Sequence, residues 1–163
     1  MRAIRRKVEA PEDLADVSDV DLLVVGADGP SGIGTVAWAW CLATGTPWIR
    51  AAVGHEEGYW GPLLDPALGH CLRCVDQWRH EQLSPLEVQL QKAHLQPTPW
   101  SFGPTNTVVS AWAAHDIVQF LCGDTPASLN ARVTVDFRVP AITRLATPSV
   151  LTCKGHSSVG VQE

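Results

Sequence analysis

The apolar residues in the first half of this chain fall into short runs that predict two strands joined by a helix. The run VDLLVV, at residues 20–25, is typical of a strand that is buried on both faces. A glycine-rich turn follows, and the run TVAWAWCLATG then predicts a helix ending at Gly45, a suitable residue for a left-handed helix cap. The run PWIRAAV, at residues 47–53, predicts the second strand. Strand, helix and strand in this order predict a parallel βαβ unit.

The middle of the chain predicts one more strand and one more helix. Residues 57–65 have a strand-like pattern that is interrupted by Gly61 and Pro62. An N-capping pattern at Ser84 predicts a helix over residues 84–95.

The last third predicts a helix followed by two strands. Residues 107–122 are apolar on most sides, which predicts a helix buried in the core. Residues 131–139 alternate apolar and polar side chains, as a half-exposed strand does. Residues 142–145 are expected to form an antiparallel neighbour of that strand. The chain as a whole is therefore expected to be an α/β protein with a mixed sheet and packed helices.

Composition limits the classes of partner. The chain has 163 residues with 45% hydrophobic and 18% charged content, which suits one globular domain. Its formal net charge is -5 and its longest basic block is Arg5, Arg6 and Lys7, so nucleic acid is not an expected partner. No apolar run is long enough to span a bilayer, and a cytoplasmic protein is expected.

Cysteine and histidine spacing predicts a structural zinc site. Cys71 and Cys74 form a CxxC pair, and Cys153 and His156 form a CxxH pair near the C-terminus. Zinc binds thiolate and neutral imidazole in a tetrahedral set of four ligands, and a two-residue gap lets both side chains of a pair reach one ion. His70, beside the first pair, is the alternative to His156 as the fourth ligand.

The glycine-rich turn after the first strand also raises a dinucleotide-binding alternative. Glycines between a strand and a helix can hold a pyrophosphate on backbone amides. Gly26, Gly29, Gly32 and Gly34 do not have the GxGxxG spacing, however, and no acidic residue ends the second strand directly. An NAD(P)-dependent oxidoreductase is therefore the weaker alternative.

Histidines and tryptophans add two further hypotheses. His115 and Asp116 are adjacent, but no GxSxG element accompanies them, so a nucleophilic triad is not predicted.

Seven tryptophans are many for this length. Three of them lie in apolar patterns and are expected in the core: Trp38, Trp48 and Trp112. Three others lie in turn-rich contexts, where some of them would form an apolar interaction surface: Trp60, Trp78 and Trp100.

The order of these elements, together with the run GPLLDPALGHCLRCVDQWR, resembles the second half of the ThiF/MoeB family. These are the activating enzymes of ubiquitin-like proteins, which adenylate a C-terminal carboxylate with ATP. The resemblance covers about residues 20–156 and is closest to the ThiF-like proteins of thiazole/oxazole-modified peptide pathways. It implies a truncated Rossmann-like fold in which the zinc site is structural.

The resemblance also assigns candidate ATP-binding residues. In this family the equivalent of the first strand ends in an aspartate-rich turn, whose second aspartate helps to bind magnesium and ATP. Asp28 matches that aspartate, while Gly26 stands in place of the first. The family's second zinc pair is usually CxxC, so the pair Cys153 and His156 is a departure that zinc tolerates.

The expected domain organisation is a single ThiF-like domain over residues 1–163, with a leader at 1–19, a core at 20–156 and a tail at 157–163. Only nineteen residues precede the first strand, so the family's glycine-rich ATP loop and triphosphate-binding cations have no expected counterpart. Without such cations, charge developing on a transferring phosphoryl group is not stabilised.

Two functional hypotheses follow. The first is a catalytically incomplete ThiF-like zinc protein that acts as a binding or scaffold partner in peptide natural-product (RiPP) biosynthesis. The second is half of a split adenylating enzyme, in which Asp28 completes an ATP and magnesium site with another chain. Both imply a protein or precursor-peptide partner, and a homodimer or hetero-oligomer would protect an open sheet edge.

Overall fold

Five strands and three helices make up the described part of the molecule. The structure is a computed structural model that describes residues 8–26, 32–54, 56–86 and 103–148. Its elements are β1 (Leu23–Gly26), α1 (Ile33–Thr44), β2 (Trp48–Val53), β3 (Glu57–Leu64), α2 (Leu72–Gln82), α3 (Gly103–Leu121), β4 (Ala131–Asp136) and β5 (Ala141–Ala146). Short 3-10 helices cover Pro11–Leu14 and Pro66–Leu68. The predicted α/β class is confirmed.

The strands form one mixed sheet in the order β1-β2-β3-β4-β5. β1 and β2 are parallel, with Leu23 opposite Trp48, and α1 connects them. The three remaining pairs are antiparallel. The predicted parallel βαβ unit and the antiparallel strand at residues 142–145 are therefore both confirmed.

Helix α1 ends where the sequence predicts. Gly45 has a φ of 71° and its N–H donates to the carbonyl oxygen of Cys41, which closes the last turn in the left-handed conformation that glycine adopts without steric cost. Trp38 and Trp40 of this helix are buried, as is Cys41, and burial raises the pKa of the Cys41 thiol to about 12. The helix therefore packs as a largely apolar layer on the sheet.

Each face of the sheet has its own buried cluster. On one face, Trp48 and Leu64 pack with Trp38 of α1 and Val75 of α2. On the other face, five buried residues pack together between α3 and the sheet: Trp60, Val109, Ala113, Val133 and Val135. The alternation of β4 produces this division, because its buried residues Ala131, Val133 and Val135 point to one side.

Strand β3 is continuous through the predicted interruption at Gly61 and Pro62. The pairing of β3 with β2 shifts in register between Ile49 and Ala51, which accommodates this irregular segment within the sheet. Gly61 has a φ of 81°, and a Cβ there would collide with the carbonyl oxygen of Ala131. Only glycine adopts this positive φ without strain and also leaves room for the Ala131 carbonyl oxygen. Gly61 therefore permits β3 and β4 to approach closely.

Two burial predictions for aromatic segments are wrong. Helix α3 is not a core helix: Val109 and Ala113 face the sheet, whereas Trp112 is 44% exposed and Val118 is also exposed. Trp60, one of the three candidates for the interaction surface, is only 2% exposed. Trp60 lies in a strand covered by α3, while the outer face of α3 has no covering element among the described residues.

The outer segments of the expected domain are described only in part. Leu14 lies in the expected leader, but it is buried in the cluster beneath α1, so ordered packing begins before residue 20. Residues 87–95 of the predicted helix 84–95 and the predicted tail at 157–163 lie outside the described residues. Within the described ranges, none of the helices has the length and hydropathy needed to cross a bilayer.

Candidate functional site

A cleft of about 550 Å³ lies between α3 and the sheet, where β1 and β2 end. Val24, Gly26 and Val53 form part of its strand side, and Ser110 and Ile117 form part of its helix side. Because β1 and β2 are parallel, their carboxyl ends meet at the same edge of the sheet. Open α/β sheets bind their ligands at that edge. This cleft is the candidate functional site.

Gly26 is the predicted ATP-site residue that the structure brings to the cleft. It is the last residue of β1, and apart from its chain neighbours no atom of the described residues lies within 4 Å of the position that a Cβ would occupy. A ligand can therefore approach its backbone closely. Asp28 lies in the segment 27–31, outside the described residues, so its role in binding magnesium and ATP stays a prediction.

The described lining of the cleft has no charged side chain. Asn106 and Ser110 are its polar side chains, and the others are glycine, alanine, valine or isoleucine. A triphosphate requires cations that neutralise its charge, and none of these residues supplies one. The described lining suits an apolar group, such as the side chain of a peptide, better than a phosphate chain.

The first cysteine pair lies at the start of α2. Cys71 is the N-cap residue and Cys74 is in the first turn, so the two side chains lie on the same side of the helix. Both are buried. This placement fits two ligands of one zinc ion. Cys153 and His156 lie outside the described residues, within which no group of three or more metal-ligating side chains occurs. The zinc site therefore stays a prediction.

His70 is oriented unfavourably for zinc. Its Nδ1 accepts a hydrogen bond from the backbone N–H of Asp65 at 3.1 Å, which puts the imidazole proton on Nε2. Zinc binds a ring nitrogen without a proton, and the other nitrogen then carries the proton and donates it. Burial lowers the pKa of His70, an effect that the charge of Asp65 partly offsets. This geometry favours His156 as the fourth ligand.

A groove of about 570 Å³ runs beside this cysteine pair. Trp38 and Leu42 of α1 form one wall, and His70, Cys71 and Arg73 form part of the other. The groove provides room beside Cys71 for a further chain segment that would complete a ligand set.

Asp116 has a structural environment rather than a catalytic one. It is 1% exposed and accepts hydrogen bonds from Trp60 Nε1 at 3.0 Å and from the backbone N–H of Ser128 at 2.8 Å. His115 Nδ1 lies 3.6 Å from the other carboxylate oxygen, and the His115 side chain is largely exposed. Asp116 connects α3, β3 and the segment before β4, in agreement with the absence of a predicted triad.

Sequence reasoning missed this buried carboxylate. An aspartate in the middle of a helix that is otherwise apolar was the available signal, because such a side chain needs a buried partner if it faces the core. The tryptophan that serves as its partner is 56 residues away. The pairing itself is visible only in the tertiary structure.

Comparison with solved structures places this fold beside the microcin C7 biosynthetic enzyme MccB. The structure of E. coli MccB with ATP aligns with a TM-score of 0.71 and 25% identity, over 93% of this chain and 43% of that chain. MccB in complex with N-formylated MccA aligns with a TM-score of 0.69 and 23% identity, over 91% and 44%. PaaA aligns with a TM-score of 0.65 and 13% identity, over 86% and 46%. The last two likenesses show the fold alone.

The chain spans less than half the length of these structural relatives. A comparison with curated proteins found no significant match. The sequence profile of the ThiF family matches residues 1–151. This match does not favour the oxidoreductase alternative. Since this match extends over most of the sequence and agrees with the fold, the chain belongs to the ThiF family.

Proposed function

We propose that this ThiF-family chain binds a precursor peptide in the cleft between α3 and the ends of β1 and β2. The observation that carries the proposal is the lining of the cleft, which is apolar and uncharged among the described residues and lies at the ligand-binding edge of the sheet. MccB has been solved with the peptide MccA, which supports a peptide as the ligand class. The chain then acts as a binding partner in peptide natural-product biosynthesis.

In this proposal the chain contributes binding, and a partner contributes the phosphoryl chemistry. The described cleft offers no cation to a triphosphate, so the isolated chain is expected to show no ATP–pyrophosphate exchange. Assembly into a dimer or a hetero-oligomer belongs to the same proposal, because β1 lies at an edge of the described sheet.

Filling the cleft is expected to abolish peptide binding without unfolding the chain. Ala114 is exposed on α3 and lines the cleft, so Ala114→Trp would occupy the space that a peptide side chain needs. The matched control is Ala111→Trp, at an exposed position of the same helix that does not line the cleft. Peptides selected from a display library with free C-termini provide the probe.

Fluorescence anisotropy with a selected peptide measures the affinities. Ala114→Trp should weaken binding by about tenfold or more, equivalent to about 1.4 kcal/mol, while Ala111→Trp should bind like the unmodified chain. Equal affinities for all three proteins would exclude the cleft as the peptide site. Robust pyrophosphate exchange by the isolated chain would contradict the binding-only role.

The second candidate is half of a split adenylating enzyme. It is favoured by the 25% identity to MccB solved with ATP and by the open backbone at Gly26. In the reaction, a carboxylate oxygen of the peptide attacks the α-phosphorus of ATP, the bond to the β-phosphate breaks, and pyrophosphate leaves. Asp28 would hold the magnesium ion that accompanies ATP.

Asp28→Ala tests this second candidate. With a candidate partner chain present, the substitution is expected to lower the rate of ATP–pyrophosphate exchange by about 100-fold, because charge on the phosphates loses its stabilisation. Asp21→Ala, at an exposed position just before β1, serves as the control and should keep the full rate. Exchange that survives Asp28→Ala unchanged would rule out this assignment.

A further inference from the structure

Three arginines converge on a small cavity on the opposite face of the sheet from the cleft. The cavity measures about 30 Å³ and lies between α2 and strands β2, β3 and β4. Arg50 comes from β2, Arg132 from β4 and Arg79 from α2, and all three line it. Asp76 is the carboxylate among the lining residues. Three guanidinium charges against one carboxylate leave a surplus of two positive charges.

Tyr59 of β3 holds two of these guanidinium groups in place. The Cζ atom of Arg132 lies 3.5 Å from the centroid of the Tyr59 ring, and that of Arg50 lies 5.8 Å away. Both distances are within the range of cation–π attraction. The guanidinium groups are therefore positioned on the cavity wall instead of extending into solvent.

The local charge balance is unfavourable without an anion. Burial, followed by the charge of Arg79, lowers the pKa of Arg132 to about 10. Burial also raises the pKa of Asp76, which the charges of Arg79 and Arg50 partly offset. None of the three arginines has an ion pair within 4 Å among the described residues. All three arginines are partly buried, and cations that are withdrawn from solvent in this way normally have a counterion.

Two buried hydrogen-bond donors in the same cavity also have no acceptor. Arg50 Nε and Trp48 Nε1 have no partner among the described residues, and Trp48 is almost completely buried. Both residues line the cavity. Unsatisfied buried donors are rare in folded proteins, because each one costs the free energy of its lost hydration. Two of them beside surplus positive charge indicate a missing acceptor with negative charge.

The size and shape of the cavity select the kind of acceptor. A cavity of about 30 Å³ has room for a water molecule or a small polar group. A guanidinium fork matches a carboxylate with two parallel hydrogen bonds. A water molecule could accept the hydrogen bonds but would not offset the charge.

We propose that Arg50, Arg79 and Arg132, with the Trp48 indole N–H, form a receptor for one carboxylate group. The source of the carboxylate is either an acidic side chain of a partner protein or a free small acid. The receptor is independent of the proposed peptide cleft, which lies under α3 on the other face of the sheet.

Side-chain NMR of the ¹⁵N-labelled chain tests the receptor directly. Sodium acetate is expected to shift the Arg50 Nε–H and Trp48 Nε1–H signals in a saturable way, and acetamide, its neutral counterpart, is not. Absence of a saturable acetate shift would show that the cavity holds water, which would overturn the proposal. A glutamate-containing peptide with an amidated C-terminus, compared with its glutamine counterpart, then identifies the source. Glutamate-dependent binding supports a partner protein, whereas binding of acetate alone assigns the receptor to a free small acid.

Substitutions distinguish a receptor that is open to an external carboxylate from one that is already filled by a carboxylate of the chain itself. Arg50→Met is expected to weaken acetate binding by about tenfold or more, and to raise the denaturant midpoint because it removes a partly buried cation whose buried Nε–H has no acceptor among the described residues. Arg144→Met, on the exposed strand β5 and outside the cavity lining, should leave acetate binding unchanged. A lowered midpoint for Arg50→Met, with no acetate binding to the unmodified chain, would reveal an internal partner and overturn the proposal. Arg50→Lys keeps the charge but loses the fork, and should weaken acetate binding without unfolding the chain.

Discussion

Replacing Cys71 by serine is expected to release the zinc ion and to unfold the chain. Cys71 and Cys74 are both buried at the start of α2, as two ligands of one metal ion require. Structural zinc contributes apparent binding free energies on the order of 10 kcal/mol, which becomes folding free energy when the ion holds distant segments together. Elemental analysis should find about one zinc per unmodified chain and none in Cys71→Ser, and far-UV circular dichroism should show loss of helix.

Cys122→Ser is the matched control for this prediction. Cys122 is an exposed thiol outside the predicted ligand set, so its replacement should keep both metal and fold. The two histidines provide a second comparison. His156→Gln should lose zinc, whereas His70→Gln should keep it, because Nδ1 of His70 accepts a hydrogen bond from the Asp65 backbone. A metal-free protein of unchanged stability would contradict the zinc site.

Replacing Asp116 by alanine is expected to cost about 3–5 kcal/mol in the free energy of unfolding. The substitution removes the acceptor of two buried hydrogen bonds, from Trp60 Nε1 and from the Ser128 backbone N–H. Both donors would stay buried without a partner, since α3 covers this part of the sheet. Chemical denaturation monitored by tryptophan fluorescence measures the difference.

Two further variants make this prediction specific. Asp124→Ala, at an exposed position after α3, should change stability by less than about 0.5 kcal/mol. Trp60→Phe removes one of the donors, so the double variant with Asp116→Ala should be less destabilised than the sum of the single variants. If Asp116→Ala costs no more than Asp124→Ala, the buried carboxylate does not stabilise the fold.

Elements with a regular pattern could be predicted from the sequence. The alternation of residues 131–139 predicted β4 with its buried face, although the strand ends at Asp136 and Val139 is exposed. Gly45 predicted the end of α1. The order of strand, helix and strand gave the parallel pairing of β1 and β2, because this connection normally returns to the same sheet. These features depend on local geometry and on near neighbours in the chain.

Burial of individual aromatic residues could not be predicted in the same way. Trp60 lies between Gly58 and the pair Gly61 and Pro62, which indicated a turn, yet it is buried under α3. Trp112 lies in an apolar helix, which indicated the core, yet it stacks on Trp60 with its outer side exposed, at a centroid distance of 5.9 Å. An apolar helix covers the sheet with one face, and its sequence does not say whether the other face is covered too.

The sequence by itself determined the α/β class, the parallel βαβ unit, the spacing of the cysteine pair and the likeness to the ThiF family, whereas the helix that begins at this pair was not predicted. Each of these depends on spacing within a short segment or on a continuous motif. The tertiary structure alone decided which side chains meet. Arg50, Arg79 and Arg132 come from three elements far apart in the chain, and Trp60 meets Asp116 across 56 residues. Such contacts between distant residues depend on strand order, register and helix packing, which no local pattern of residues encodes.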